Sequence, residues 1–262
     1  MIEGFVDIRD LEVRLGGTVL LEGVTCAVPQ GAFLSILGPN GAGKTTLIRA
    51  MAGLNRYQGS IRYGGTELAT LHPRERARRV CYVPQQSNGA VPFRVYELLQ
   101  MARYAHGGTW RGGERIPPQE IRDTLSLCQA GELEQRLFCE LSGGEQQKVS
   151  LAAALVQGGD VLLLDEPGTF LDPRMEDELF AILCELRDSR AVTIFIVTHD
   201  INRALLSSSH VLLLKGGRAL FSGPVGTIAD GEALKELFDT DFLFVPHPET
   251  GIAMAVPRRR NG

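Results

Sequence analysis

Two short stretches carry residue types that suit phosphoryl chemistry. Gly38-Pro39-Asn40-Gly41-Ala42-Gly43-Lys44-Thr45 has the form GxxxxGK[ST] and follows the apolar run Phe33 to Leu37, with helix-compatible Thr46 to Met51 after it. Glycines at 38, 41 and 43 let the backbone curl so that its N–H groups face inward. The positive end of the following helix completes a nest for phosphates. Lys44 would bridge the β- and γ-phosphates, and the Thr45 hydroxyl would ligate Mg²⁺, an ion that takes oxygen ligands and arrives with the nucleotide. The second stretch, Val161 to Pro167, puts Asp165 and Glu166 at the end of an apolar strand, where open α/β sheets form their ligand crevices. Asp165 would hold Mg²⁺ through water, and Glu166 would polarise the water that attacks the γ-phosphate. Pro167 biases Glu166 toward an extended backbone that points it out of the strand end.

These stretches need a scaffold, and the hydrophobic pattern describes one. Apolar, β-rich runs at Phe33 to Leu37, Val80 to Val83, Val161 to Leu164, Thr193 to Val197 and Val211 to Leu214 alternate with helical patterns, as in an α/β core with buried strands. Ahead of them, Phe5 to Arg9, Glu12 to Leu15 and Val19 to Leu21, with Ile61 to Tyr63 later, read as a small antiparallel sheet. From about Val91 to Val156 strand signals vanish. Val95 to Tyr104, Pro118 to Leu127 and Glu145 to Val156 there carry helical spacing, and Gly107 to Gly113 reads as an exposed linker.

Composition narrows the setting. The 262 residues, 44% hydrophobic and 22% charged, suffice for one sizeable core. A net charge of -4 argues against a nucleic-acid partner. The run Arg258, Arg259, Arg260 reads as a solvated tail with no assigned role. Five dispersed cysteines without a CxxC pair argue against a disulfide framework or a zinc site and fit a reducing compartment. With no run of about 18 apolar residues and no charged leader, membrane contact is expected through a partner.

Leu141-Ser142-Gly143-Gly144-Glu145-Gln146 lies between the phosphate loop and the acidic strand, and this combination resembles the ABC ATPase family. Ser142, Gly143 and Gly144 sit just before a helix-compatible stretch, offering a hydroxyl and amides at a positive helix end. One nucleotide does not need two such receptors from one subunit. The resemblance accordingly implies a head-to-tail homodimer in which the second receptor closes on ATP held by the other copy. It also implies that Gln85, in Tyr82-Val83-Pro84-Gln85, joins Thr45 and Asp165 at the Mg²⁺ site. His199, after the strand Thr193 to Val197, would hydrogen-bond the γ-phosphate and orient Glu166. Asp172 would sit at the dimer seam. Catalysis is thus expected from Glu166, His199, Gln85 and Lys44. Nucleotide contacts are expected from Gly38, Pro39, Asn40, Gly41, Ala42, Gly43, Lys44, Thr45 and Thr46, and from Ser142, Gly143, Gly144 and Asp172. The fold implied is a P-loop NTPase core of mostly parallel strands with an N-terminal antiparallel β subdomain and an inserted helical subdomain. It would form one domain over 1–240, with the insertion at about 91–156 and a tail, 241–262, of unknown role.

The stretch Val91-Pro-Phe-Arg-Val95-Tyr-Glu97-Leu98, then Met101-Ala-Arg103-Tyr104, looks like the PFTVxELVxxGRY segment of importers for ferric siderophores, haem and cobalamin. That likeness implies integral-membrane permease subunits, a solute-binding protein acting through them, and a peripheral position on the cytoplasmic face of the inner membrane. A soluble ABC ATPase without a permease, of the iron–sulfur assembly type, or an exporter ATPase would carry the same site chemistry.

Two departures stand out. Where many relatives carry an aromatic residue that stacks on adenine, this chain has Leu15, and Gly168-Thr-Phe170-Leu171-Asp172 replaces the more usual TSALD or TSHLD. Phe170 suits packing within the subunit and against a partner equally. Leu15 offers apolar packing without a π-face, which weakens adenine affinity by about 0.5–1.5 kcal/mol. GTP is therefore expected to be hydrolysed as well as ATP, and a large ATP preference in a competition assay would count against this.

Overall fold

The computed structural model describes residues 4–85, 92–106, 115–169 and 171–258. Val91, the Gly107 to Gly113 stretch, Phe170, Arg259 and Arg260 lie outside them. The chain divides into two compact units, Met1–Thr70 with Phe195–Gly262, and Leu71–Ile194.

The first unit opens with β1 (Val6–Leu15), β2 (Thr18–Val28), β3 (Phe33–Leu37), α1 (Lys44–Met51), β4 (Gln58–Tyr63) and β5 (Thr66–Glu67). The expected antiparallel sheet is present in the order β2-β1-β4-β5. The two expected strands Phe5 to Arg9 and Glu12 to Leu15 are one strand, β1. Its register against β2 shifts between Ile8 and Leu11, with Asp10 at φ 47° and its N–H donated to Thr25 Oγ1 at 3.0 Å. A bulge breaks the alternation of inward and outward side chains, and for that reason one strand reads as two. Tyr63, buried at the end of β4, donates its hydroxyl to Met51 O at 2.8 Å and so pins the C-terminal end of α1.

The second unit contains α2 (Pro73–Arg79), β6 (Val80–Val83), α3 (Val95–Ala102), α4 (Pro118–Leu127), α5 (Gly143–Gln157), β7 (Val161–Asp165) and α6 (Pro173–Arg190). β6 and β7 run parallel, Val80 opposite Val161, and all five residues of β7 are buried. Helices α3 and α4 pack on α5. The expected helix Val95 to Tyr104 ends at Ala102 and tightens into a 3₁₀ turn, Arg103–His106. There Arg103 Nη1 is held by Glu120 Oε1 at 2.8 Å and Val156 O at 3.2 Å. The expected helix Glu145 to Val156 begins two residues earlier, at Gly143.

β8 (Thr193–Val197) crosses the boundary between the units. Next come α7 (Ile201–Ser207), β9 (His210–Lys215), β10 (Arg218–Pro224), α8 (Glu232–Phe238), β11 (Phe242–Pro246) and β12 (Ala253–Pro257). In the first unit β9 lies between β10 and β3, and in the second β7 lies beside β6. β3 is parallel to β9, with Leu37 opposite Leu213. The tail after 240 is a β-hairpin in which Phe242 pairs with Pro257 and Pro246 with Ala253.

Burial pushes the thiols of Cys26 and Cys128 up to about 12 and that of Cys81 to about 11, so all three are unreactive packing residues. Among the described residues no helix is long and apolar enough to cross a membrane.

Candidate active site

The sequence-derived site residues form two groups, one in each unit. In the first, the phosphate loop leaves the fully buried β3 and enters α1 through Gly43, which holds φ 101°. A Cβ on Gly43 would meet Leu21 Cδ2 at 2.6 Å, and one on Gly38 would overlap the Leu214 carbonyl oxygen. Both positions therefore exclude a side chain. Ala42 N–H donates to Pro39 O at 3.2 Å, and Gly217 N–H donates to Ala42 O at 3.1 Å, which fixes the loop against the β9–β10 turn. Gly43 supplies no side-chain cap and the first turn of α1 holds no acid. The positive helix end thus faces the loop without a built-in counter-charge. Lys44 is only 5% exposed, and its Nζ donates to Gly38 O at 2.9 Å and Pro39 O at 3.1 Å. Asn40, Gly41 and Thr45 are exposed and Thr46 is half-buried. His199 is exposed just beyond β8, and Leu15, 71% exposed, ends β1.

In the second unit Asp165 is the last residue of β7 and is 3% exposed. It accepts a hydrogen bond from Tyr82 Oη at 3.3 Å. Glu166 has φ 49°, which corrects the extended conformation expected from Pro167. The pre-proline clash disfavours the right-handed helical region, and the left-handed region is reached here because the side chain is tethered. Gln85 Nε2 donates to Glu166 Oε2 at 2.9 Å. Thr169 Oγ1 lies 3.1 Å from Glu166 O and 3.4 Å from Oε2. A non-glycine residue in this conformation costs about 1–3 kcal/mol, and such strain collects where a side chain must be aimed.

Ser142 is the N-cap of α5. Its Oγ accepts from Glu145 N at 3.4 Å, and Glu145 Oε2 accepts from Ser142 N at 2.7 Å. This reciprocal box holds the Glu145 carboxyl below its usual range, first through the Ser142 backbone donor and then through its hydroxyl. Gly144 is buried, and a Cβ there would overlap the thioether of Met175. Met175 in turn donates its N–H to Asp172 Oδ1 at 2.8 Å. Asp172 therefore caps α6, and the ends of α5 and α6 are locked side by side.

Sequence reasoning missed Tyr82 and Met175, which meet Asp165 and Gly144 from far along the chain, and Thr169, which meets Glu166 three residues away. The Glu145 box was readable as S-x-x-E. Among the described residues no cluster of three or more His, Cys, Asp or Glu could hold a metal. Thr45 in the first unit, and Gln85 and Asp165 in the second, each carry an oxygen donor of the hard kind that Mg²⁺ takes.

Residues 21–169 match the ABC transporter family. The chain is 35% identical to a hemin import ATP-binding protein of Streptomyces coelicolor over 252 residues, 95% of this chain and 88% of that one. It is 33% identical to the hemin import ATP-binding protein of Pseudomonas entomophila over 97% of this chain and 100% of that one. With a cobalamin import ATP-binding protein of Halobacterium salinarum it shares 30% identity, over 96% of this chain and 63% of the relative. A metal-chelate type ABC transporter in an inward-facing conformation shares the fold, with TM-score 0.81, 24% identity and coverage of 97% and 98% of the two chains. So does a dimeric ATP-binding cassette bound to ADP and phosphate, with TM-score 0.73, 22% identity and coverage of 84% and 98%. The chain belongs to the ABC transporter family and is an ATP-binding, ATP-hydrolysing cassette.

Ser142→Ala is expected to cost about 1 kcal/mol by removing the cap of α5. Because the folded-state pKa of Glu145 is depressed, its contribution is present above the ordinary carboxylate range and is lost as pH falls through the folded value. Urea unfolding should therefore show the deficit of a Glu145→Ala variant in full at neutral pH and a smaller deficit on acidification.

Proposed function

We propose that this chain drives import of an iron chelate, haem or cobalamin-type cargo from the cytoplasmic face of the inner membrane. Two copies would close on two Mg²⁺-ATP and move integral-membrane permease subunits, with a solute-binding protein delivering cargo to the permease. The observation that supports this reading is the presence in one chain of two glycine-rich helix N-termini. One is the glycine-capped α1 with no acid in its first turn, and the other is the serine-capped α5. The names of the similar import proteins support the cargo class.

In this reading the loop amides from Gly38 to Thr46 bind the phosphates, and Lys44 turns from its own loop carbonyls to the β–γ bridge. Thr45, Gln85 and Asp165 would hold Mg²⁺, which would supply neutralisation of charge on the phosphoryl oxygens. Glu166 accepts a hydrogen bond from the attacking water, whose oxygen displaces ADP from the γ-phosphorus. His199 holds a γ-phosphate oxygen and orients Glu166. Ser142, Gly143 and Gly144 of one copy close over the γ-phosphate held by the other, with Asp172 at the seam. Leu15 packs against the base. Closure and ATP affinity are linked because only the closed pair completes both phosphate sites.

Replacing Glu166 with Gln is expected to abolish turnover and leave an ATP-bound dimer detectable by size-exclusion chromatography, whereas normal turnover would reject Glu166 as the water-polarising group. Affinity purification from detergent-solubilised native membranes should recover a polytopic permease. Recovery of the chain alone, or with soluble assembly factors, would overturn the importer reading.

A further inference from the structure

The segment after Asp239 contributes nothing to the site as assigned above, yet it shares a core with the strand that feeds the phosphate loop. Ala255 is buried in one apolar cluster with Ala204 and Leu205 of α7 and with Leu37, the residue before Gly38, and Phe242 and Phe244 pack against the same cluster. Asn202 reinforces this packing with directional bonds. Its Nδ2 donates to Ala255 O at 3.2 Å and its Oδ1 accepts from Ala255 N at 2.7 Å. Among the described residues the β11–β12 sheet has two strands, so β12 has an edge, and the Asn202 carboxamide serves that edge as a neighbouring strand would.

α7 spans seven residues. A helix of that length is not stable alone, so what it packs against sets its position. Its start is pinned to the site. Asp200 Oδ1 caps Arg203 N at 2.9 Å, Asp200 N donates to Thr198 Oγ1 at 3.1 Å, and Thr198 N donates to Ile36 O at 3.3 Å. His199 lies between these anchors.

We propose that Asn202 is a positioning residue. By clasping the C-terminal hairpin to α7 it fixes the helix whose N-cap, Asp200, directly follows His199, so the tail sets the rate of the chemical step without touching nucleotide. The proposal rests on the reading of His199 as the γ-phosphate ligand.

The test is steady-state ATP hydrolysis by the purified full chain, together with binding of a fluorescent ATP analogue and thermal melting. Asn202→Ala should lower kcat roughly tenfold, with KM and analogue affinity within about twofold of the parent because the phosphate loop is untouched. Ile61→Val, a core truncation in the antiparallel sheet, serves as a control for loss of stability alone and should leave kcat unchanged. Should Asn202→Ala fail to fold, Asn202→Asp, which keeps the acceptor for Ala255 N–H and loses the donor, is read by the same criterion. A kcat within about twofold of the parent, or a loss no larger than that of Ile61→Val, overturns the proposal. His199→Ala is measured alongside. If it keeps the parent kcat, the assignment of His199 itself fails, an outcome distinct from failure of the clasp.

Discussion

At three glycines of the two proposed phosphate receptors the framework leaves no room for a Cβ, and this steric condition fixes the local shape of both. At Gly38 the obstacle is the Leu214 carbonyl, at Gly43 it is Leu21, and at Gly144 it is the Met175 thioether. In each case the glycine permits a close approach by a strand or helix that itself belongs to the site's framework. The loop is thereby braced by β9 and β2, and the end of α5 by the first turn of α6. Rigid amides aimed in advance need little reorganisation when a charged ligand arrives.

Charge follows the same economy. α1 receives no acid and no side-chain cap, whereas α5 satisfies part of its first turn with Ser142 and Glu145. In the proposed reading a phosphate at α1 meets a helix end with no acid in its first turn and a buried lysine. A phosphate at α5 meets an end already held in shape by a reciprocal box, which suits a surface that closes on a nucleotide bound elsewhere. The two acids proposed to act on phosphate are kept apart by environment. Asp165 is sunk at the end of β7 beside the Tyr82 hydroxyl, and Glu166 is turned out of the strand in a strained conformation held by Gln85 and Thr169.

The parts of this site visible in the sequence are those encoded by adjacent residues: the phosphate loop, the signature before α5, and the acidic pair after an apolar run. Strand cores such as Phe33 to Leu37 and Thr193 to Val197 were visible for the same reason, since unbroken apolar runs mark strands buried on both faces. What escaped notice depends on contacts between distant residues. The left-handed turn at Glu166 is stabilised by Gln85, far upstream. The single bulged β1 needs β2 and β4 to define its register. Asp172 and Pro173 are the start signals of α6, and these are local in the sequence. The tail looked featureless because the alternating partners of Phe242 and Phe244 lie on α7 and α8.

The central claim is that a phosphate site is completed by residues of two copies, and a mixing experiment tests it most directly. A Lys44→Ala copy retains an intact α5 end, and a Ser142→Arg copy retains an intact phosphate loop. Analytical ultracentrifugation with Mg²⁺-ATP should show each variant alone as a monomer and the mixture as a heterodimer, because one complete site then forms between the two copies. A mixture that stays monomeric, or a Ser142→Arg protein that dimerises on its own with ATP, would contradict a receptor shared across the pair.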